Sequence, residues 1–194
     1  MARTRAFDEA LALDGAMHQF WAAGYHGSSL ASLLAATGLS KSSLYDTFHS
    51  KRALLLEALA RYERFICSES PISPVMRPEA GRADIESALR DYVTWAASAD
   101  GRYGCFANNC IAEIGPHDAE VRRAATAITG RIEQAFHDAI ARGQAAGDIQ
   151  RRDPPRTLAR FLLNNVAGLS LAAKSAPDRD RLDDIVGVAL HSLD

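Results

Sequence analysis

Apolar residues return at helical spacing through almost the whole of this 194-residue chain, and no segment sustains the period-two alternation of a half-buried strand. Leu13, Ala16, Met17 and Phe20 stand at i, i+3, i+4 and i+7. The pattern admits an all-α fold and little else. Gly24 supplies a stop for the first helix. Ser28 or Ser29 caps a short second helix carrying Leu30, Leu33 and Leu34, which ends at Thr37-Gly38. Ser40 caps a third with Leu44 and Phe48 inside, and Ser50 caps a fourth whose stripe is Leu55, Ala58, Leu59, Tyr62 and Ile66. Residues 68–81 hold three prolines and a glycine and cannot be one helix. Helices are predicted beyond them at about 83–99, 103–114, 118–145, 154–175 and 179–193, punctuated by Gly101, Gly115-Pro116, Gly147 and Pro177.

The stretch 28–51 carries the function. Two helices of about eight residues, joined by Thr37-Gly38-Leu39, bury Leu30, Leu33, Leu34, Leu39, Leu44 and Phe48. The second exposes Lys41, Ser42, Ser43 and Tyr45, which are donors and one aromatic of the kind that meets a major groove. The plain alternative is a helical hairpin with a solvated face. Charge gives limited help: the formal net charge is −2, and residues 1–64 hold seven Lys/Arg against six Asp/Glu. Lys41, Lys51, Arg52, Arg61 and Arg64 nevertheless cluster after position 40, so a phosphate-binding face would be local.

Leu13-Asp14, Phe20, Gly24-Tyr25, Ser28-Ser29-Leu30, Gly38-Leu39-Ser40-Lys41, Leu44-Tyr45, Phe48, Ser50-Lys51 and Leu54-Leu55 follow one another in an order that resembles the TetR family of transcriptional regulators. The resemblance implies a three-helix helix-turn-helix domain over residues 1–50 and a C-terminal helical bundle over 51–194 that senses a ligand and dimerises. It implies that Ser28, Ser29 and Lys51 meet phosphates. Ser40, Lys41, Ser42, Ser43 and Tyr45 then belong to the helix that reads double-stranded operator DNA. His49 stands where the family often has a basic residue, and Asp46 departs from the usual aromatic or basic choice.

After residue 66 the resemblance weakens. It implies a homodimer through the last two helices, with Leu158, Leu162, Leu169, Leu182, Ile185 and Ala189 at the interface. Leu182, Ile185, Val186, Ala189, Leu190 and Leu193 do form one helical stripe, although a stripe can equally pack on its own chain. Tyr92, Trp95, Phe106, Asn109, Cys110, Glu113, Phe161 and Asn165 mix aromatics with a few polar groups, as small-molecule sites do, and are the candidate effector pocket. Core aromatics with satisfied amides are the competing reading. Gly104 to Cys110 also resembles the start of the sixth helix in a branch that holds regulators of detoxification and reactive-carbonyl responses. A thiol-based redox or electrophile sensor using Cys105 and Cys110 is therefore an alternative, against which a helical Cys is usually a small buried hydrophobe.

Enzyme classes find no purchase: there is no glycine-rich phosphate loop and no nucleophile elbow, and the six histidines are scattered. No cofactor and no metal are expected. The N-terminus lacks a signal-peptide pattern, no run approaches the ~20 apolar residues of a membrane span, and three cysteines form no disulfide framework, so a cytoplasmic protein is expected. A helical bundle that binds no DNA remains the bland reading.

Overall fold

A computed structural model describes residues 9–175 and 178–194. Pro177 and the N-terminal segment before Glu9, both used above, lie outside the described residues. The described residues are helical and contain no strand. The helices are α1 (Glu9–Gly27), α2 (Leu30–Thr37), α3 (Lys41–Phe48), α4 (Lys51–Ser68), α5 (Arg82–Ala96), α6 (Phe106–Glu113), α7 (Ala119–Ala146), α8 (Pro155–Ala173) and α9 (Arg179–His191).

Local chemistry explains most of the boundaries. Ser29, Ser40 and Ser50 each turn a hydroxyl back to accept a backbone N–H, from Ser32 at 3.0 Å, Ser43 at 3.1 Å and Ala53 at 3.0 Å. Gly38, left-handed at φ 67, closes α2. The proline-rich stretch 68–81 folds as a 3-10 turn, Ser73–Met76, pinned by the buried Ile72 and Val75. The helix expected from 103 starts later, at Phe106, because Gly101–Tyr103 forms a 3-10 turn and Gly104 sits at φ 68.

One continuous apolar core runs from Ala12 to Leu193. α1 packs on α2, α4 and α6, so the first helix belongs to the α2–α3 unit and to the body at once. Gly15 permits the closest of these approaches: a Cβ there would stand 2.0 Å from the Ala36 carbonyl oxygen. In the body α7 lies on α6 and α8, and α5 is wedged between α9, α8 and α7.

This packing corrects the expected interface. Leu158, Leu162, Leu169, Leu182 and Ala189 are buried against their own chain, and Ile185 is half-buried. The apolar stripes on α8 and α9 are buried in the chain's own core, so these residues are withdrawn from the expected interface.

Candidate nucleic-acid interface

α3 is eight residues long, about 12 Å at 1.5 Å per residue, and is held against the core by Leu44 and Phe48. Its other faces are free. Lys41, Ser42, Tyr45 and Asp46 are exposed, Tyr45 at 39% of its area, while Ser43 is half-buried and lies 2.9 Å from the Ser40 hydroxyl. Lys41 occupies the first turn, where the positive end of a helix disfavours a cation, so its charge does not support the helix on which it stands. His49 ends α3 at φ 65, a positive φ that is unusual outside glycine, and its N–H donates to the Tyr45 carbonyl at 2.9 Å. That bend swings the chain into α4 and leaves the imidazole exposed.

Two expected phosphate contacts look different in place. Ser28 is 0% exposed, and its hydroxyl donates to the Gly24 carbonyl at 2.6 Å. It is the adjacent Ser29 that caps α2 and faces outward, so Ser28 is corrected from a phosphate contact to a buried tie. Ser28→Ala will lower stability by about 1–3 kcal/mol, since the Gly24 carbonyl loses its partner in a buried place. Thermal unfolding reads this as a fall of roughly 2–4 °C per kcal/mol, and operator affinity per folded molecule should not move. Lys51 is half-buried, with Nζ 4.5 Å from the centre of the Tyr25 ring. Burial lowers its pKa from the ordinary lysine value, and the Glu113 carboxylate opposes that shift.

Behind α2 and α3, the expected effector residues other than Cys110 separate into three groups. Tyr92, Trp95 and Phe106 join an aromatic cluster centred on Trp21, which no spacing along the chain points to. Ring centroids lie 5.0 Å apart for Trp21–Tyr62, 5.9 Å for Trp21–Trp95, 5.5 Å for Tyr62–Phe106 and 5.3 Å for Tyr92–Trp95. Trp21 Nε1–H donates to the Gly104 carbonyl at 2.9 Å, which satisfies its one polar atom. Asn109 and Glu113 are already engaged. Asn109 donates to the Tyr103 carbonyl at 3.0 Å and accepts from Lys174 Nζ at 2.5 Å, while Glu113 accepts two backbone N–H groups of α1. Phe161 and Asn165 do not belong with the rest. Phe161 is 44% exposed on α8, and Asn165 donates to the Phe161 carbonyl, so both are withdrawn from the pocket. An open cleft of about 540 Å³ lined by Ala96–Ala99, Arg102, Ala173 and Lys174 lies beside the cluster's α5 end.

The thiols are quiet. Burial pushes Cys110 up to about 12, with Glu113 adding to the effect, and burial likewise raises Cys105, whose sulfur accepts the Tyr62 hydroxyl at 3.6 Å. Neither is a resting thiolate near neutral pH.

The outer faces of α8 and α9 carry a different signal. Leu171 is 69% exposed and Val188 70%, in line with Phe161 and Gly168 on α8 and the half-buried Ile185 on α9. Among the described residues no helix is long and apolar enough to cross a membrane, and no cluster of three or more His, Cys, Asp or Glu could hold a metal ion.

Two short capped helices that present a polar face, mounted on a larger helical body, define a helix-turn-helix regulatory protein. Residues 12–58 match the family described as bacterial regulatory proteins, tetR family, and residues 81–187 match the tetracyclin repressor-like C-terminal domain. The chain belongs to the TetR family, whose members are DNA-binding transcription regulators and not enzymes. It is 33% identical over its whole length to the whole of YezE of Bacillus subtilis (strain 168), an uncharacterized HTH-type transcriptional regulator. It is 31% identical to the HTH-type transcriptional repressor ComR of Escherichia coli (strain K12), across 97% of this chain and 90% of ComR. Among solved structures it is similar to the regulator CifR, described in complex with 26-bp double-strand operator DNA. That match has 34% identity and a TM-score of 0.84, over 99% of this chain and all of the other.

Proposed function

We propose that this chain is a transcriptional repressor that binds a near-palindromic operator as a homodimer and is released by a small, largely apolar molecule. The observation that carries the reading is the outer face of α3, where Lys41, Ser42 and Tyr45 are exposed. The likeness to CifR, described with double-strand operator DNA, and to the repressor ComR supports it. Residues 1–50 are the DNA-reading part and 51–194 the sensing and dimerising part, acting in the cytoplasm. Two copies joined through the outer faces of α8 and α9 would carry one α3 each to successive major grooves, with centres ~34–36 Å apart.

Release is a matter of linkage: an effector shifts the DNA equilibrium only by its differential affinity for the two arrangements of the heads. The place for it is the aromatic cluster of Trp21, Tyr62, Tyr92, Trp95 and Phe106, which touches α1, α4, α5 and α6 together. The raised thiols of Cys105 and Cys110 favour this over electrophile sensing.

The test has two stages. Selection from a random duplex pool should return inverted repeats, and recovery of only asymmetric or no sequences would overturn the operator reading. Compounds that release the selected duplex should then be repeated on Trp95→Leu and Phe106→Leu, which keep both positions apolar and remove less volume than alanine would. The concentration needed for half-release should rise about fivefold or more. Undiminished action on both variants would move the effector site away from the cluster.

A further inference from the structure

Glu113, the last residue of α6, is half-buried, and both of its carboxylate oxygens are engaged by the chain itself. Oε2 accepts the Tyr25 N–H at 3.0 Å and Oε1 accepts the His26 N–H at 2.8 Å. Two successive amides of α1 point at one carboxylate because α1 breaks at Gly24, with φ 73 and ψ 176. The carboxylate sits against the bare Cα of that glycine: a Cβ there would lie 2.7 Å from Oε2. The arrangement is a small anion-binding nest at the broken end of a helix, and an internal carboxylate fills it.

The neighbours of this nest point the same way. Ser28 draws the Gly24 carbonyl inward at 2.6 Å, and Lys51 of α4 lies over the Tyr25 ring. Residues 24–28 therefore gather contacts from α6, from α4 and from α1 itself, just before the chain enters α2 and α3. Trp21 ties α1 to Gly104 ahead of the break, so it anchors the body side. Arg52, at the start of α4, holds Asp118 with two bonds at 2.5 and 2.9 Å and reaches Glu120 at 2.7 Å, a part-buried tie to the N-terminal corner of α7 on the far side of α2 and α3 from the break. Beyond the break it is Glu113 that joins the body's α6 directly to the backbone leading into the reading head.

We propose that Glu113 is a positioning residue: by holding the Tyr25 and His26 amides it fixes the angle of α2 and α3 on the body, and so the separation of the two recognition helices. The proposal rests on the dimeric operator reading above. A fixed separation makes a regulator intolerant of operators whose half-sites are moved apart. A head loosened at the break would lose that intolerance while keeping its own DNA contacts, whereas general destabilisation would lower all binding together.

The experiment uses the full chain and an operator selected by the wild type, compared with duplexes carrying one or two base pairs inserted or deleted at the centre. The wild type should prefer the parent spacing by about tenfold or more, and Glu113→Ala should reduce that preference to below about threefold. Binding of Glu113→Ala to a random duplex at low salt should change by less than about twofold, since that binding comes from phosphate contacts. Gly24→Ala attacks the same nest from the other side with the carboxylate intact and should flatten the preference equally, and the double variant should add nothing further. Glu113→Gln keeps the length and one acceptor oxygen, so it should fall between alanine and wild type. It also provides the comparison if the alanine variant does not fold. A spacing preference unchanged in the Glu113 and Gly24 variants would overturn the positioning role, leaving the operator reading standing. A wild type with no spacing preference would instead overturn the fixed two-headed reading.

Discussion

Lys41→Ala and Tyr45→Ala will each cost specific operator binding about 1–3 kcal/mol, and the double variant will be left close to its affinity for random duplex. Both side chains stand on the outer face of α3, outside its buried pair, so their removal leaves Leu44, Phe48 and the Ser40 cap in place. The loss can therefore be charged to base-edge and groove contacts and not to unfolding. Lys51→Ala serves as the contrast. Loss of a lysine that meets phosphate weakens binding to all sequences alike and lowers the salt slope by about one unit. Fluorescence anisotropy with the selected and a scrambled duplex, at several salt concentrations, separates the two behaviours. Equal binding of the selected duplex by wild type and the Lys41, Tyr45 double variant would remove α3 from the recognition surface.

The largest change expected in assembly comes from Leu171→Arg combined with Val188→Arg. Both leucine and valine are about two-thirds exposed, at 69% and 70%, so arginine there harms no core, yet it charges the outer faces of α8 and α9 where a second copy would dock. The variant should sediment as a folded monomer and lose operator affinity by about a hundredfold or more, because two linked heads bind far more tightly than one. Circular dichroism matching the wild type shows that folding was not the casualty. An intact dimer would place the interface elsewhere. A charge at Leu162 or Leu182, both 0% exposed, would test only the stability of the chain itself.

The contrast between these two pairs marks where sequence reading stopped. The α2–α3 unit was legible because its determinants are local: a serine cap, a left-handed glycine and two inward residues lie within a few positions of one another. Even there the choice between Ser28 and Ser29 needed the backbone, since either hydroxyl could have reached the cap position. The stripe on α9 correctly announced burial but could not say against what. A helical period records that one face is dry, and an intramolecular neighbour dries it as well as a partner does. The tie made by Glu113, expected instead in the effector pocket, and that made by Trp21 escaped for a further reason. Their partners are 88 and 83 residues away in the chain, and no spacing rule relates a carboxylate at the end of one helix to a break in another. The glycines could have raised the question, for Gly24 and Gly104 are the two points where these ties are made.

Trp21 also bears on how such regulators can be recombined. Its indole lies among Tyr62, Phe65, Trp95 and Phe106 and is bonded to Gly104, although it sits in the first helix of the part that reads DNA. The operator-reading end is thus not a cassette that can be cut after Ser50 and spliced to a foreign sensor. A graft made there would carry an indole shaped for this body into another, and would leave behind a carbonyl and a hole shaped for it. Exchange of specificities between relatives is easier at the exposed positions of α3, where substitutions touch no part of the sensor. Grafting a whole head calls for a matched set: the tryptophan, the aromatic ring that surrounds it and the glycine carbonyl that receives its proton.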